Sequence, residues 1–122
     1  MHQLATVLLR HDSRRQTHYD WMLTKPPDSC LLWTARVTWP SWCWSFVGRW
    51  DVHVIGEHRP AFLTYQGPLT GGRGTVCQVD IGFILPRLWT TTKIVFDLRM
   101  TRCAGRISLD HVSGHLWRAS MM

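Results

Sequence analysis

The stretch Lys93-Ile-Val-Phe-Asp-Leu-Arg99 puts Ile94, Phe96 and Leu98 on one side of an extended chain and Lys93, Asp97 and Arg99 on the other. A period of two marks a half-buried strand, because successive side chains point to opposite faces. Arg106–Asp110 repeats the pattern with Ile107 and Leu109 inward, and the short connection over 100–105 predicts an antiparallel hairpin. A turn at Ser113-Gly114 then returns His115–Ala119 as a further strand. Gln3–Arg10, Tyr19–Thr24, Leu31–Val37 and Gly74–Asp80 are also short, rich in β-branched or aromatic residues, and bounded by turn formers. Helical periodicity nowhere persists beyond about two turns. About seven short strands in one chain predict an all-β sandwich or a small closed or partly open antiparallel β-barrel, with at most short peripheral helices. The turn-rich segments fall at 25–29, 39–41 and 67–74.

A length of 122 residues suits a single domain, taken as 1–122, and 45% apolar residues are enough for a core. The run Leu4–Leu9 is too short for a membrane span or a signal-peptide core, so a soluble cytoplasmic protein that does not meet the membrane is expected. The four cysteines, at 30, 43, 77 and 103, form no C-x-x-C pair and are expected to be buried free thiols. A net charge of +6, with 12 of 14 basic residues being Arg, suits a phosphate-bearing partner. A GC-rich coding sequence yields the same Arg and Trp excess, so charge alone does not decide the partner.

The densest polar constellation is His11-Asp-Ser-Arg-Arg-Gln-Thr-His18-Tyr-Asp20. With one strand ending at Arg10, a loop over 12–17 and a second strand beginning at His18, His18 and Asp20 share a face and the hairpin returns His11 beside them. Two imidazoles and a carboxylate are a plausible ligand set for Mn²⁺ or Zn²⁺, although such residues around a turn are more often plain surface residues. Arg14 and Arg15 in the same loop are suited to phosphate. A second constellation, in a segment read as irregular, joins His58 and Arg59 to a Gly-rich turn carrying Arg73. His111 and His115 flank a turn and are not expected to form a zinc pair. Five tryptophans lie within residues 33–50, at 33, 39, 42, 44 and 50, interleaved with Arg36 and Arg49. Trp33 is expected in the core, while Trp39, Trp42 and Trp44 around Pro40 are expected to be partly exposed, where stacking on unpaired bases competes with simple packing.

In order along the chain, Leu8-Leu-Arg-His-Asp with His18-Tyr-Asp20, Leu32-Trp-Thr-Ala, Glu57-His58-Arg59 through Tyr65-Gln-Gly67-Pro68 with Gly72-Arg-Gly-Thr-Val76, and Val95-Phe-Asp-Leu-Arg99 with Gly105-Arg-Ile-Ser-Leu109 resemble the 3′-phosphoesterase domain of bacterial DNA ligase D. The short stand-alone members of that family are the more similar. The resemblance implies a compact β-barrel enzyme that removes a 3′-phosphate or a terminal ribonucleotide from DNA or RNA–DNA 3′ ends with Mn²⁺, Zn²⁺ being the alternative, and works beside a DNA ligase or polymerase. It further implies that His11, His18 and Asp20 hold the metal and that His58 contacts the scissile phosphate, making these four the catalytic set. Arg14, Arg15, Arg59 and Arg73 are the accompanying phosphate-binding candidates.

The chain departs from the family pattern where an arginine and a tyrosine of the phosphate clamp are expected, carrying Met22 and Phe62 instead. Gly56 replaces an acid, and the first His-to-His gap is one residue longer. Two functions therefore remain: an active 3′-end phosphoesterase, or a catalytically weakened relative that binds nucleic-acid ends or a repair partner.

Overall fold

A computed structural model describes residues 3–27 and 30–122, and among these the chain forms nine strands. β1 (Leu4–Asp12) and β2 (Thr17–Thr24) make a hairpin, to which β3 (Leu32–Val37) and β4 (Arg49–His58) are added. After an excursion carrying the two-residue β5 (Gly67–Pro68), the chain runs through β6 (Thr75–Trp89), β7 (Lys93–Met100), β8 (Ala104–Ser113) and β9 (Leu116–Met121). The neighbours run β1-β2-β3-β4-β9-β8-β7-β6, and β6 pairs back onto β1, closing an eight-stranded antiparallel barrel with β5 appended to β6. Closure leaves few unpaired edges in a small sheet protein. The expected all-β barrel is present, and helix is confined to short turns and α1 (Trp44–Val47).

The long β6 makes closure possible by serving two partners, its first part pairing with β1 and its later part with β7. Register shifts opposite Leu8/Leu9 and at Pro86/Leu88 bend it, since an extra residue on one strand kinks the ladder. Gly82 sits where the three strands meet. A Cβ there would overlap the Arg99 carbonyl, so only glycine lets β7 approach.

Two expectations about the chain's course are corrected. Residues 49–58, read in part as irregular, are the strand β4, with Trp50 and Val52 buried and the alternate Asp51 and His53 exposed. The strand expected over Gly74–Asp80 continues to Trp89. The turn expected over 25–29 runs into Asp28 and Ser29, which lie outside the described residues.

The barrel interior is lined by Leu8, Trp21, Ala35, Val52, Phe96 and Ile107 among others. Trp44, expected to be partly exposed, is instead fully buried: α1 drops it into the barrel end, stacked on Trp50 at 4.9 Å and against Trp21 at 4.4 Å. Trp33 is buried as expected, and Trp39 and Trp42 keep 44% and 40% of their surface exposed. Buried Asp80 fastens this end by accepting from Ser41 Oγ at 2.5 Å and from the backbone N–H groups of Thr101 and Arg102. All four cysteines are free, but only Cys103 is buried; Cys43 and Cys77 are half-buried and Cys30 is exposed. No helix among the described residues is long and apolar enough to cross a membrane.

A second, smaller core lies on the outer face of the barrel. Val7, Leu9, Met22, Leu32 and Val76 are covered there by Phe62, Leu63 and Leu69 from the 59–74 excursion. That strap over β1–β3 builds a cleft outside the barrel.

Candidate metal centre and phosphate cleft

The β1–β2 register sets His11 directly opposite His18, with Asp20 two residues farther along β2 on the same face. Both strands run farther than expected, to Asp12 and from Thr17, so the loop shrinks to a turn held by Ser13 N–H and Oγ donating to the Gln16 carbonyl. His11 Nδ1 is 3.0 Å from His18 Nε2, which is 3.5 Å from Asp20 Oδ2. One ligand atom from each residue lies within 4.8 Å of the others.

The proton positions follow from the partners. His11 Nε2 lies 2.6 Å from the Arg73 carbonyl, which only accepts, so Nε2 carries the hydrogen and Nδ1 presents its lone pair to His18 and Asp20. A backbone carbonyl on the far nitrogen is the usual way a ligating imidazole is oriented. His18 Nδ1 and Asp20 Oδ1 are buried without a hydrogen-bond partner, an uncommon state for such atoms. Burial pushes the His18 pKa down; Asp20 works against this, while the positive Arg36 reinforces it.

Beside this group opens a cleft of about 330 Å³ whose polar wall includes His11, Asp20, Arg36, His58, Arg59 and Arg73. Its apolar floor includes Met22, Phe62, Leu69 and Val76. His58 reaches the cleft because of a bulge. Thr34 pairs with Gly56 but Ala35 pairs with Val54, leaving Ile55 as the extra residue and reversing the alternation beyond it. Gly56 accommodates the bulge at φ +116°. His58 thereby lands opposite Leu32, on the outer face with Thr34.

Thr34 Oγ1 spends its single hydrogen on the Leu32 carbonyl at 3.1 Å and so accepts from His58 Nδ1–H at 3.0 Å. In the neutral ring Nε2 is then the lone-pair nitrogen. Burial holds the His58 pKa below its ordinary value, with Asp20 pulling the other way, and the Phe62 ring packs edge-on at 5.4 Å. Arg73 is fixed by donating from Nε to the Thr70 carbonyl at 2.8 Å and from Nη2 to Thr70 Oγ1 at 3.1 Å.

The fold thus gathers His11, His18, Asp20, His58, Arg59 and Arg73, residues far apart in sequence. Arg14 and Arg15 lie exposed in the hairpin turn and do not line the cleft. Arg36, considered in the sequence only as a neighbour of the aromatics, proves to be a cleft residue. On β3 it stands directly opposite Asp20 of β2, with Nε 3.6 Å from Asp20 Oδ1 and without a hydrogen-bond partner. The signal for it was the alternation of β3, which sets Thr34 and Arg36 on one face. His111 Nε2–H donates to the Gly114 carbonyl across the turn between the two distal histidines. No protein-family model matches the chain, and no curated protein matches it.

Proposed function

We propose that the protein is a divalent-metal-dependent phosphoesterase that trims the 3′ ends of DNA or RNA–DNA strands in cytoplasmic DNA repair, removing a 3′-phosphate or a terminal ribonucleotide beside a DNA ligase or polymerase. The observation that carries this reading is the His11, His18 and Asp20 group opening on an arginine-lined cleft. Ligand atoms about 2.1 Å from one ion stand roughly 3.0–3.5 Å apart, and the contacts of 3.0 and 3.5 Å within the group match that spacing. Two nitrogens and a carboxylate oxygen suit Mn²⁺ or Zn²⁺.

Bound there, the ion supplies Lewis-acid polarisation of a phosphoryl oxygen. The chain's own residues do the rest. Arg36, Arg59 and Arg73 neutralise the phosphate and the charge that grows on it as water attacks phosphorus. His58 enters neutral, with Nε2 free to take a proton from the incoming phosphate or water and return it to the departing 3′-oxygen. On a 3′-phosphate, cleavage yields inorganic phosphate and a 3′-hydroxyl; on a terminal ribonucleotide, the same attack expels the nucleoside through its 5′-oxygen, which takes the proton, and leaves a 3′-phosphate for a second round.

A second reading, a catalytically weakened module that binds strand ends or a repair partner, is favoured by one observation: Met22 and Phe62 present carbon where two more polar groups would grip phosphate. Incubation with a 3′-phosphorylated primer–template and Mn²⁺ separates the two. The enzyme releases phosphate and its Asp20→Ala variant does not; metal binding by calorimetry without release above that variant overturns the enzymatic reading and leaves the binding module.

A further inference from the structure

A second cavity, of about 280 Å³, adjoins the cleft, and Arg59, Phe62, Leu69 and Arg73 line both. Tyr65 and Pro68 extend its apolar wall, and no acidic residue lines it, whereas Asp20 and Glu57 line the first. Arg59 and Arg73 therefore stand where a cleft beside the candidate metal centre meets a mostly apolar pocket. The aromatic side of that pocket is built in advance. Tyr65 donates its hydroxyl hydrogen to the Pro68 carbonyl and meets the Phe62 ring edge-on at 6.3 Å, while Phe62 is braced against the outer-face core. Tyr65 still keeps 38% of its surface open, so a ligand can reach its ring.

We propose that the second cavity is the subsite for the leaving nucleoside: with the scissile phosphate in the cleft, the nucleoside joined to it through the 5′-oxygen extends past Arg59 and Arg73 and lays its base against Tyr65. A base is a planar group tethered to an anion. A pocket that is apolar within and cationic where it meets the phosphate cleft is complementary to both parts. Its volume lies close to the lower end, about 300 Å³, of pockets that hold small organic ligands. A terminal phosphate alone leaves this pocket unused, so the pocket favours a strand ending in a nucleoside phosphodiester over one ending in a 3′-phosphate. The primer stays paired with its template up to the last nucleotide. Only the terminal nucleoside leaves its partner, at a cost that is least for a mismatched end. The proposal rests on the phosphoesterase reading for the bond that is cut, but not for the binding of the base.

The test uses the full chain without added metal, so that nothing is turned over, and compares adenosine 5′-monophosphate with ribose 5-phosphate by calorimetry. The two share sugar and phosphate, so their difference reads the base alone. The nucleotide should bind about 10-fold more tightly. Tyr65→Leu should erase that difference, and Tyr65→Phe, which loses the bond to Pro68 but keeps the ring, should retain it, with circular dichroism confirming that both fold. With Mn²⁺ restored, Tyr65→Leu should lower kcat/KM for a primer–template ending in a mismatched ribonucleotide about 10-fold more than for one ending in a 3′-phosphate. Nucleotide binding that is absent, or no tighter than that of ribose 5-phosphate, overturns the subsite. So does a Tyr65→Leu loss that is equal for both ligands or for both ends. None of these outcomes touches a phosphoesterase that still releases phosphate from a 3′-phosphorylated end. Tyr65-dependent binding of the base with no turnover of either end supports the subsite and overturns the phosphoesterase.

Discussion

Thr34 and Arg36, two residues apart on β3, act on the cleft in different ways. Arg36 supplies charge beside Asp20, next to the apolar Met22 of β2. Arg36→Met should lower kcat/KM for a 3′-phosphorylated end by about 10²–10³, the usual cost of removing a donor aimed at developing charge. Thr34 acts through His58, as the acceptor that fixes its proton. Thr34→Val leaves that N–H unpaired, so kcat should fall by roughly 10-fold, with an altered pH profile, and Thr34→Ser should restore both. The histidines also couple folding to pH. Both His18 and His58 are held below their ordinary 6.5 by burial, so the unfolded chain takes up protons first as pH falls. Stability of the metal-free protein should be full above pH 6.5 and decline below it until the folded-state pKa values are passed. Urea midpoints across that range check the slope, which His58→Gln should reduce.

At the scale of elements, the site depends on how closely the 59–74 strap meets the β1–β2 hairpin. Gly74, at φ +92°, lies against Asp12 and Ser13, and a Cβ there would overlap the Asp12 carbonyl. Gly74→Ala should therefore separate strap from hairpin, costing about 1–3 kcal/mol and weakening metal binding by displacing the Arg73 carbonyl from His11. Gly82→Ala collides with β7 on the far side of β6 and should destabilise comparably while the folded fraction binds metal normally. Denaturation paired with calorimetry of the two variants distinguishes support of the site from support of the barrel. The β1–β2 hairpin was legible because alternation and a polar turn fix its register. Strand β4 was not, because Gly56 and the neighbouring Trp- and Pro-rich stretch obscured a pattern that Trp50 and Val52 do carry.

Across the whole molecule, positive charge is distributed by where the acids are. Asp97 is clamped by Arg106 and Arg87 and held down to about 2, while Asp110 pairs with Lys93, Asp51 with Arg118 and Glu57 with Lys25. Arg59 and Arg73, which line the cleft, form no ion pair among the described residues and leave their charge available there beside Asp20 and Glu57. Binding of a single-stranded end through Arg36, Arg59 and Arg73 should accordingly weaken with salt at a log–log slope of about −2, and Arg59→Ala should lower that slope by roughly 0.7. The sequence by itself determined the all-β architecture and the joining of His11, His18 and Asp20, since both follow from local alternation and one hairpin turn. Only the tertiary structure decided that His58 faces the cleft, that Arg36 belongs to it while Arg14 and Arg15 do not, and that Trp44 is core while Trp42 is surface. Those outcomes depend on a bulge, on cross-strand register and on a strap folded over a barrel, which are relations between distant segments that no local spacing encodes.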